Sequence, residues 1–574
     1  MWLLVTFLVP GLTQDAGQPD GAPIAWGWDE TMHAELPAVQ ILLNVERGDW
    51  KAAAVVIHDC DRYPFVYPVA LAVWQGVFGI GEAQARALGR FMLVLLILLT
   101  IPLALYLARR PVGSAPRPRS HLIDVVLLVV LAGLASPLAR RYGPTLFLEI
   151  PAVVLMAATL VSWISRRDLT TGTGQRARRD LLTGLLVALT FFTKFNYALL
   201  LAAALGADAF VELIVARRRR HALLSLLWVA APVLMGLAWW FVLPVPMGQN
   251  AAAEHRLNFM EFVQGNQSHA TTPWTRKMNW LTGISAHPFL FAALIVFSLG
   301  LIAVQRTRTS VTFLFALVAF VVPILLHNYQ LDRFLLPAAV TFWVAGGTSA
   351  AIFLRRFPRT FSLGAVALAA LCAAFPALEV LGWEPVRLPV APLGSPIREL
   401  QQNHVHSTLG LYGPPASNGM HRATHDKLMD MLAAAVGPED SVGWLGQSAE
   451  VSPASLHVEL LRRGGSRDRF LQYAAVPMDI VPVPSGVRID FTHDELLDYV
   501  RRFDHVIVPF HGDLIDRPGR RWIKDAWHLP LRESALTEWQ TIGSILVERF
   551  NETPLPVTFE LVRAVDGSAD EDKQ

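Results

Sequence analysis

Apolar stretches of about twenty residues recur along most of this chain, and few folds can hold them. A helix needs ~20 predominantly apolar residues to cross a ~30 Å hydrocarbon core. Such stretches fall at about 1–12, 86–108, 122–138, 144–164, 181–193, 196–215, 222–243, 286–304, 310–327, 333–354 and 360–380. They predict a polytopic α-helical membrane protein with about eleven spans. Charged residues make up 17% of the chain, against about 25% in soluble globular proteins, and mean hydropathy is +0.39. The formal net charge of +2 gives no reason to expect a nucleic-acid partner. Cys60 and Cys372 lie far apart in the sequence, so neither a disulfide nor a cysteine zinc site is expected.

Arginine placement predicts the orientation. Clusters occur at Arg109, Arg110, Arg117 and Arg119; at Arg166, Arg167, Arg176, Arg178 and Arg179; at Arg217 to Arg220; at Arg306 and Arg308; and at Arg355, Arg356 and Arg359. With the N-terminus inside, every cluster falls in an alternate, cytoplasmic loop. Residues 13–85, the 139–143 turn, the Lys194 turn, 244–285, the 327–332 turn and everything after 381 then face outward. Arg140 and Arg141 break that pattern and call for a local explanation. The first stretch is short for a span, has no basic residues before it, and is cut by Pro10-Gly11. A start codon assigned too late is the expectation there.

The outer tail is different material. Residues 381–429 are rich in Pro, Gly, His and Asn and read as a linker. Residues 430–574 read as a small extracytoplasmic α/β domain. Its signals are a strand and turn at Ser441 to Gly446, an amphipathic helix from Ala454 to Arg463, and a buried strand at His505 to Pro509. Gly443 and Gly446 are too weak a pair to argue a nucleotide site.

Ionisable residues gather on the predicted outer face. Asp29, Glu30 and His33 lie in the first outer loop, 13–85. Glu149 sits just inside the outer end of a span, with Arg140 and Arg141 in the turn before it. Lys194 marks the tip of a short hairpin. His327, Asn328, Asp332 and Arg333 lie at the last short outer turn. Ionisable groups at membrane depth are costly and mark function or pairing. Acids and cations at one depth suit a lipid phosphate: a carboxylate can take a proton from an acceptor, and Arg or Lys can stabilise a departing phosphate. Each group also has a plainer reading. Asp29 and Glu30 would serve as the cap and first turn of a helix. Glu149 would pair with Arg140 or Arg141, Lys194 would snorkel to the headgroups, and Arg333 would anchor at the interface. Glu30, His33 and Glu149 are the candidates for a divalent metal, should one be used.

Several short motifs carry a resemblance. These are Trp28-Asp29-Glu30, then Tyr63-Pro64-Phe65-Val66-Tyr67-Pro68, Ala85-Arg86-Ala87-Leu88-Gly89-Arg90, Phe147-Leu148-Glu149, Gly184 to Leu189 leading to Thr193-Lys194, and Asp332-Arg333-Phe334-Leu335-Leu336-Pro337. In this order over about 1–380 the chain resembles the GT-C integral-membrane glycosyltransferases. More narrowly, it resembles the dolichyl-phosphate-mannose-protein mannosyltransferase-like and aminoarabinose transferase-like group.

The resemblance implies transfer of a sugar from a polyprenyl-phosphate carrier to an extracytoplasmic acceptor, at the outer face of an inner (plasma) membrane. It implies Asp29 as catalytic base, Glu30 as its neighbour and Glu149 as the second acid. Lys194 and Arg333, helped by Arg140 or Arg141, would face the carrier phosphate. Tyr63, Tyr67 and Arg86 would belong to the substrate cavity, with a surface helix beginning at Tyr63 to Pro68. Phe334 stands where the family more often has Tyr. Relatives differ in metal use, so a divalent metal stays open, as do the sugar and the acceptor. The alternative from another class is a polytopic transporter or lipid-linked-sugar flippase. Such folds show internal repeats and midplane acids; this sequence shows no evident repeat, and its acids lie at the boundary.

Overall fold

The structure is a computed structural model. It describes residues 31–58, 64–109, 119–136, 146–168, 173–215, 219–241, 307–326, 332–354 and 422–436, with short pieces at 138, 142–143, 295–296, 298–301, 440, 442–444, 458, 481–483, 486–488, 503–511, 539–547 and 557–564. The stretches at 1–12 and 360–380, most of 286–304, and the linker up to 421 lie outside the described residues.

The first outer loop is helical. A π-helical turn, Thr31–Glu35, runs into α1, Leu36–Glu46, and is followed by α2, Trp50–His58, and α3, Val66–Phe78. Pro37 falls at the junction of the π-helical turn and α1, where the π-helical spacing passes into the α-helical one. Gly48, at φ +75°, turns the chain between α1 and α2. The helix expected from Tyr63 to Pro68 starts at Val66.

The apolar stretches then form α4 (Glu82–Ala108), α5 (Arg119–Ala135), α6 (Glu149–Ser165), α7 (Thr173–Phe191), α8 (Phe195–Val215), α9 (Arg219–Phe241), α10 (Arg308–Leu326) and α11 (Leu336–Leu354). Among the described residues, four helices are long and apolar enough to cross a membrane by length and composition: Gln84–Ala108, Phe195–Ile214, Leu223–Phe241 and Arg333–Leu354. Two predicted boundaries shift. The short stretch at 181–193 belongs to the 19-residue α7, whose polar first turns hid its length. The stretch from 144 becomes helical only at Glu149.

One core joins α4, α5, α6, α8, α10 and α11, and includes Leu96, Val129, Ile150, Tyr197, Phe320 and Trp343. α11 is buried almost throughout, whereas α9 presents Leu223, Leu227, Leu234 and Met235 outward. Close crossings rest on missing side chains. A Cβ at Gly347 of α11 would lie 2.8 Å from Val129 Cγ2 on α5, and one at Gly184 of α7 would lie 2.2 Å from the Val229 carbonyl oxygen on α9. A second apolar cluster contains Ala34, Ala38, Tyr67, Leu71, Ala85 and Leu88 together with Leu146 and Leu148. It fastens the outer helices to the segment that enters α6.

Beyond this bundle, α12 (Arg422–Ala435) begins inside the range read as linker. Strands β1 (Val442–Trp444), β4 (His505–His511), β6 (Val557–Ala564) and β5 (Trp539–Val547) form a sheet in the order β1-β4-β6-β5, with β1 parallel to β4 and the other pairs antiparallel. β2 (Val481–Val483) and β3 (Gly486–Arg488) form a separate antiparallel pair. α12 packs on β5, where a Cβ at Gly543 would meet Met431 Sδ at 2.6 Å. Val458 is buried against Val39 of α1, with Leu36, Leu43 and Ile80 around them. Apart from Val458, the helix expected at Ala454 to Arg463 lies outside the described residues.

Candidate active site

Three chain segments bring one carboxylate and two cations together. Glu149 opens α6, where the positive end of the helix favours an acid. Lys194 sits in the turn between α7 and α8: its N–H donates to the Thr190 carbonyl at 2.8 Å, and its own carbonyl accepts from Tyr197 N–H at 3.1 Å. Arg333 lies in the 3-10 turn Asp332–Leu335 that leads into α11. The Tyr197 hydroxyl donates to the Arg333 carbonyl at 2.9 Å, so α8 ties the Lys194 turn to the Arg333 turn.

The charged groups meet at one oxygen. Lys194 Nζ donates to Glu149 Oε1 at 2.7 Å, and Arg333 Nε lies 3.2 Å from the same atom. Glu149 and Lys194 are 1% and 2% exposed. The Arg333 guanidinium lies 4.5 Å from the Phe147 ring centroid, and Lys194 Nζ lies 5.5 Å from the rings of Tyr197 and Phe334. Aromatic faces attract cations and keep the group in a low-dielectric setting.

The plain readings of these residues are corrected by that geometry. Lys194 is not a snorkelling lysine, because its ammonium is enclosed and paired. Arg333 is not simply an interfacial anchor. Glu149 is partnered by Lys194 and Arg333; Arg140 and Arg141 lie outside the described residues, as do Asp29, Glu30, Tyr63, His327 and Asn328. Asp332 belongs to the same 3-10 turn as Arg333. His33 is buried in the π-helical turn. Arg86 is half-buried on α4. Tyr67 is 1% exposed and packs with Leu71 and Ala34. Its ring therefore packs in the core of the outer helices.

Metal chemistry finds no matching donor set among the described residues, where no group of three or more His, Cys, Asp or Glu side chains gathers. Of the metal candidates, Glu30 lies outside the described residues, and Glu149 Oε1 already faces two cations.

Two features escaped the sequence reading. Glu35 ends the π-helical turn with no exposed surface; π-helical turns and buried acids both concentrate at functional sites. Its signal was an acid three residues from Met32, inside the same outer loop as Asp29. The second is a charge network at the other end of the bundle. Arg166 donates to Asp180 Oδ1 at 3.2 Å and to Glu212 Oε2 at 2.5 Å, while stacking 3.3 Å from the Trp163 ring centroid. Arg176 donates to Glu212 Oε1 at 2.9 Å. Asp208 accepts from Trp163 Nε1 at 2.7 Å, from Thr312 at 3.1 Å, from Arg308 at 2.9 Å and from Arg167. Its signal was an acid in the middle of the apolar stretch 196–215.

No family model matches the chain, and neither does any curated protein. Solved structures do. The aminoarabinose transferase ArnT from Cupriavidus metallidurans, bound to undecaprenyl phosphate, superposes with a TM-score of 0.55 at 14% identity over 97% of this chain and 96% of its own. Its apo form gives 0.51 at 16% identity. The chain shares its fold with these structures. The Archaeoglobus fulgidus oligosaccharyltransferase, solved with zinc and sulfate, gives 0.54 at 11% identity over 92% of this chain and 69% of that one. The two alignments cover 97% and 92% of the present chain.

Proposed function

We propose that this protein is a glycosyltransferase that moves a sugar from a polyprenyl-phosphate carrier to an extracytoplasmic acceptor. The observation that carries this reading is the convergence of Lys194 and Arg333 on Glu149, in a fold shared with a transferase solved with undecaprenyl phosphate. Two cations side by side, Lys194 buried and Arg333 mostly so, suit the phosphate of such a carrier. As the glycosidic bond breaks, the phosphate gains negative charge, and cations that bind that charge more strongly than the starting diester accelerate the step. The acceptor must lose a proton, and Asp29 is the base in this reading, with Glu30 beside it. The apolar cluster of Ala34, Leu146 and Leu148 supports that assignment, since it fastens the turn after Asp29 to the segment before Glu149. Arg140 and Arg141 are proposed as further phosphate contacts, Tyr63 and Arg86 as parts of the cavity, and residues 430–574 as an outer α/β domain.

The reading is tested by mass spectrometry of glycans and glycolipids from a deletion strain and its parent, with complementation by Asp29→Asn. The deletion strain should lack a glycosylated species, and Asp29→Asn at normal membrane abundance should fail to restore it. Restoration at the parental level removes Asp29 as base. An unchanged glycan profile in the deletion strain, with altered sidedness of a lipid-linked sugar, replaces transfer by a flippase.

A further inference from the structure

Lys194 and Arg333 are the cations proposed to receive a phosphate, yet both face a carboxylate already inside the protein. Glu149 Oε1 lies 2.7 Å from Lys194 Nζ and 3.2 Å from Arg333 Nε. Those are distances at which phosphate oxygens would bind the same two groups. Phe147, Tyr197 and Phe334 lie around the group, and an anion that binds either cation must compete with the carboxylate already there. Two neighbouring cations shielded from water, with no counter-charge, would be costly at membrane depth. Glu149 removes that cost while the site waits for substrate.

We propose that Glu149 is a resident counter-anion holding the place of the donor phosphate, and that the phosphate binds by displacing it from at least one cation. This rests on the polyprenyl-phosphate reading above and adds the regulation of that site. Two cations share one Glu149 oxygen. A phosphodiester donor carries one negative charge, as the Glu149 carboxylate does, so the one can take the place of the other. A phosphate monoester product carries about −1.5 to −2 and needs both cations. Binding is therefore an exchange of one anion for another, and Glu149 weakens affinity while keeping the empty site folded. The same carboxylate then drives product phosphate out by reclaiming its cations.

The test is binding of undecaprenyl phosphate to the purified full-length protein in nanodiscs, by native mass spectrometry or tryptophan fluorescence. Glu149→Gln keeps the shape and removes the charge, and should tighten binding on the order of tenfold. Lys194→Gln removes one of the two cations and should abolish measurable binding. The double variant Glu149→Gln/Lys194→Gln leaves one cation with no competing Glu149 carboxylate and should recover measurable binding, weaker than that of the parent. It also relieves the unbalanced charge should Glu149→Gln alone fail to fold. Equal or weaker binding by folded Glu149→Gln, or no recovery in the double variant, overturns the exchange while leaving the carrier reading in place. Failure of every form to bind, or parental binding by Lys194→Gln, removes the carrier reading and the exchange with it.

Discussion

Asp208 has no exposed side-chain surface and still carries four donors, from Trp163, Arg167, Arg308 and Thr312. A carboxylate so placed holds three helices and a connecting turn at one point. Removing one member of a buried ion pair strands the others, at about 3–5 kcal/mol. Asp208→Ala should therefore lower the unfolding temperature of the detergent-purified protein clearly, whereas Lys51→Ala, on the exposed surface of α2, should not. His505 gives a pH prediction. It is almost wholly buried in β4, 3.6 Å from Asp440, and burial pulls its pKa below the ordinary histidine value despite that acid. The unfolded chain then binds the proton more readily than the folded one, so His505 contributes stability above an unfolded pKa of about 6.5 that is lost as pH falls through the lower folded value. Amide exchange of β4, corrected for intrinsic rates, should speed up between pH 7.5 and 5.5, and His505→Asn should flatten that response. Among single residues, Glu149, Lys194 and Arg333 were legible because ionisable groups in apolar surroundings stand out one by one. Their shared contact was not, since it joins residues from three separate segments. Glu35 was passed over because Asp29 and Glu30 lie so close to it in sequence.

Helix α7 shows what element-level reading catches and misses. Its apolar half was found, but Arg176 and Asp180 in its first turns read as loop. Arg176 is neutralised by Glu212 of α8 and Asp180 by Arg166 in the turn after α6, and Ser225 of α9 bonds to both. Local hydropathy cannot register a polar turn that is solvated by its neighbours. Gly184 gives this helix its closest approach, and no periodicity distinguishes it from any other small residue. A side chain there has nowhere to go, because the obstacle is the backbone carbonyl of Val229. Gly184→Leu should part α7 from α9 and cost about 1–3 kcal/mol or more by overpacking. The same loss of unfolding temperature should follow Gly347→Leu at the α5–α11 crossing. Gly174, with open space around it, is the control, and Gly174→Ala should leave the unfolding temperature near that of the parent.

For the whole molecule, the two polar groups lie at opposite ends of the same helices. α6 runs from Glu149 to the Arg166 turn, and α8 runs from Lys194 past Asp208 to Glu212, so the ends are about 25 Å apart at 1.5 Å per residue. That separation agrees with a site at one boundary and an arginine-rich face at the other. Cysteine labelling with a membrane-impermeant reagent tests the orientation. Lys51→Cys should react from outside in intact cells, and Arg109→Cys only after permeabilisation. The bundle was legible at this scale because hydrocarbon thickness dictates helix length. The tail was less so: its short strands pair across long separations, as β1 does with β4, and no local pattern announces the partner.

α6 answers to both ends at once. Its first residue must face Lys194 and Arg333, while Trp163 near its last turn must face Asp208. One residue added or lost between them would rotate one end by about 100° relative to the other and swing either Glu149 or Trp163 toward lipid. Length variation among relatives of this protein should accordingly collect in the connections and leave α6 with a fixed count, which makes this helix the ruler against which the rest of the bundle can diverge.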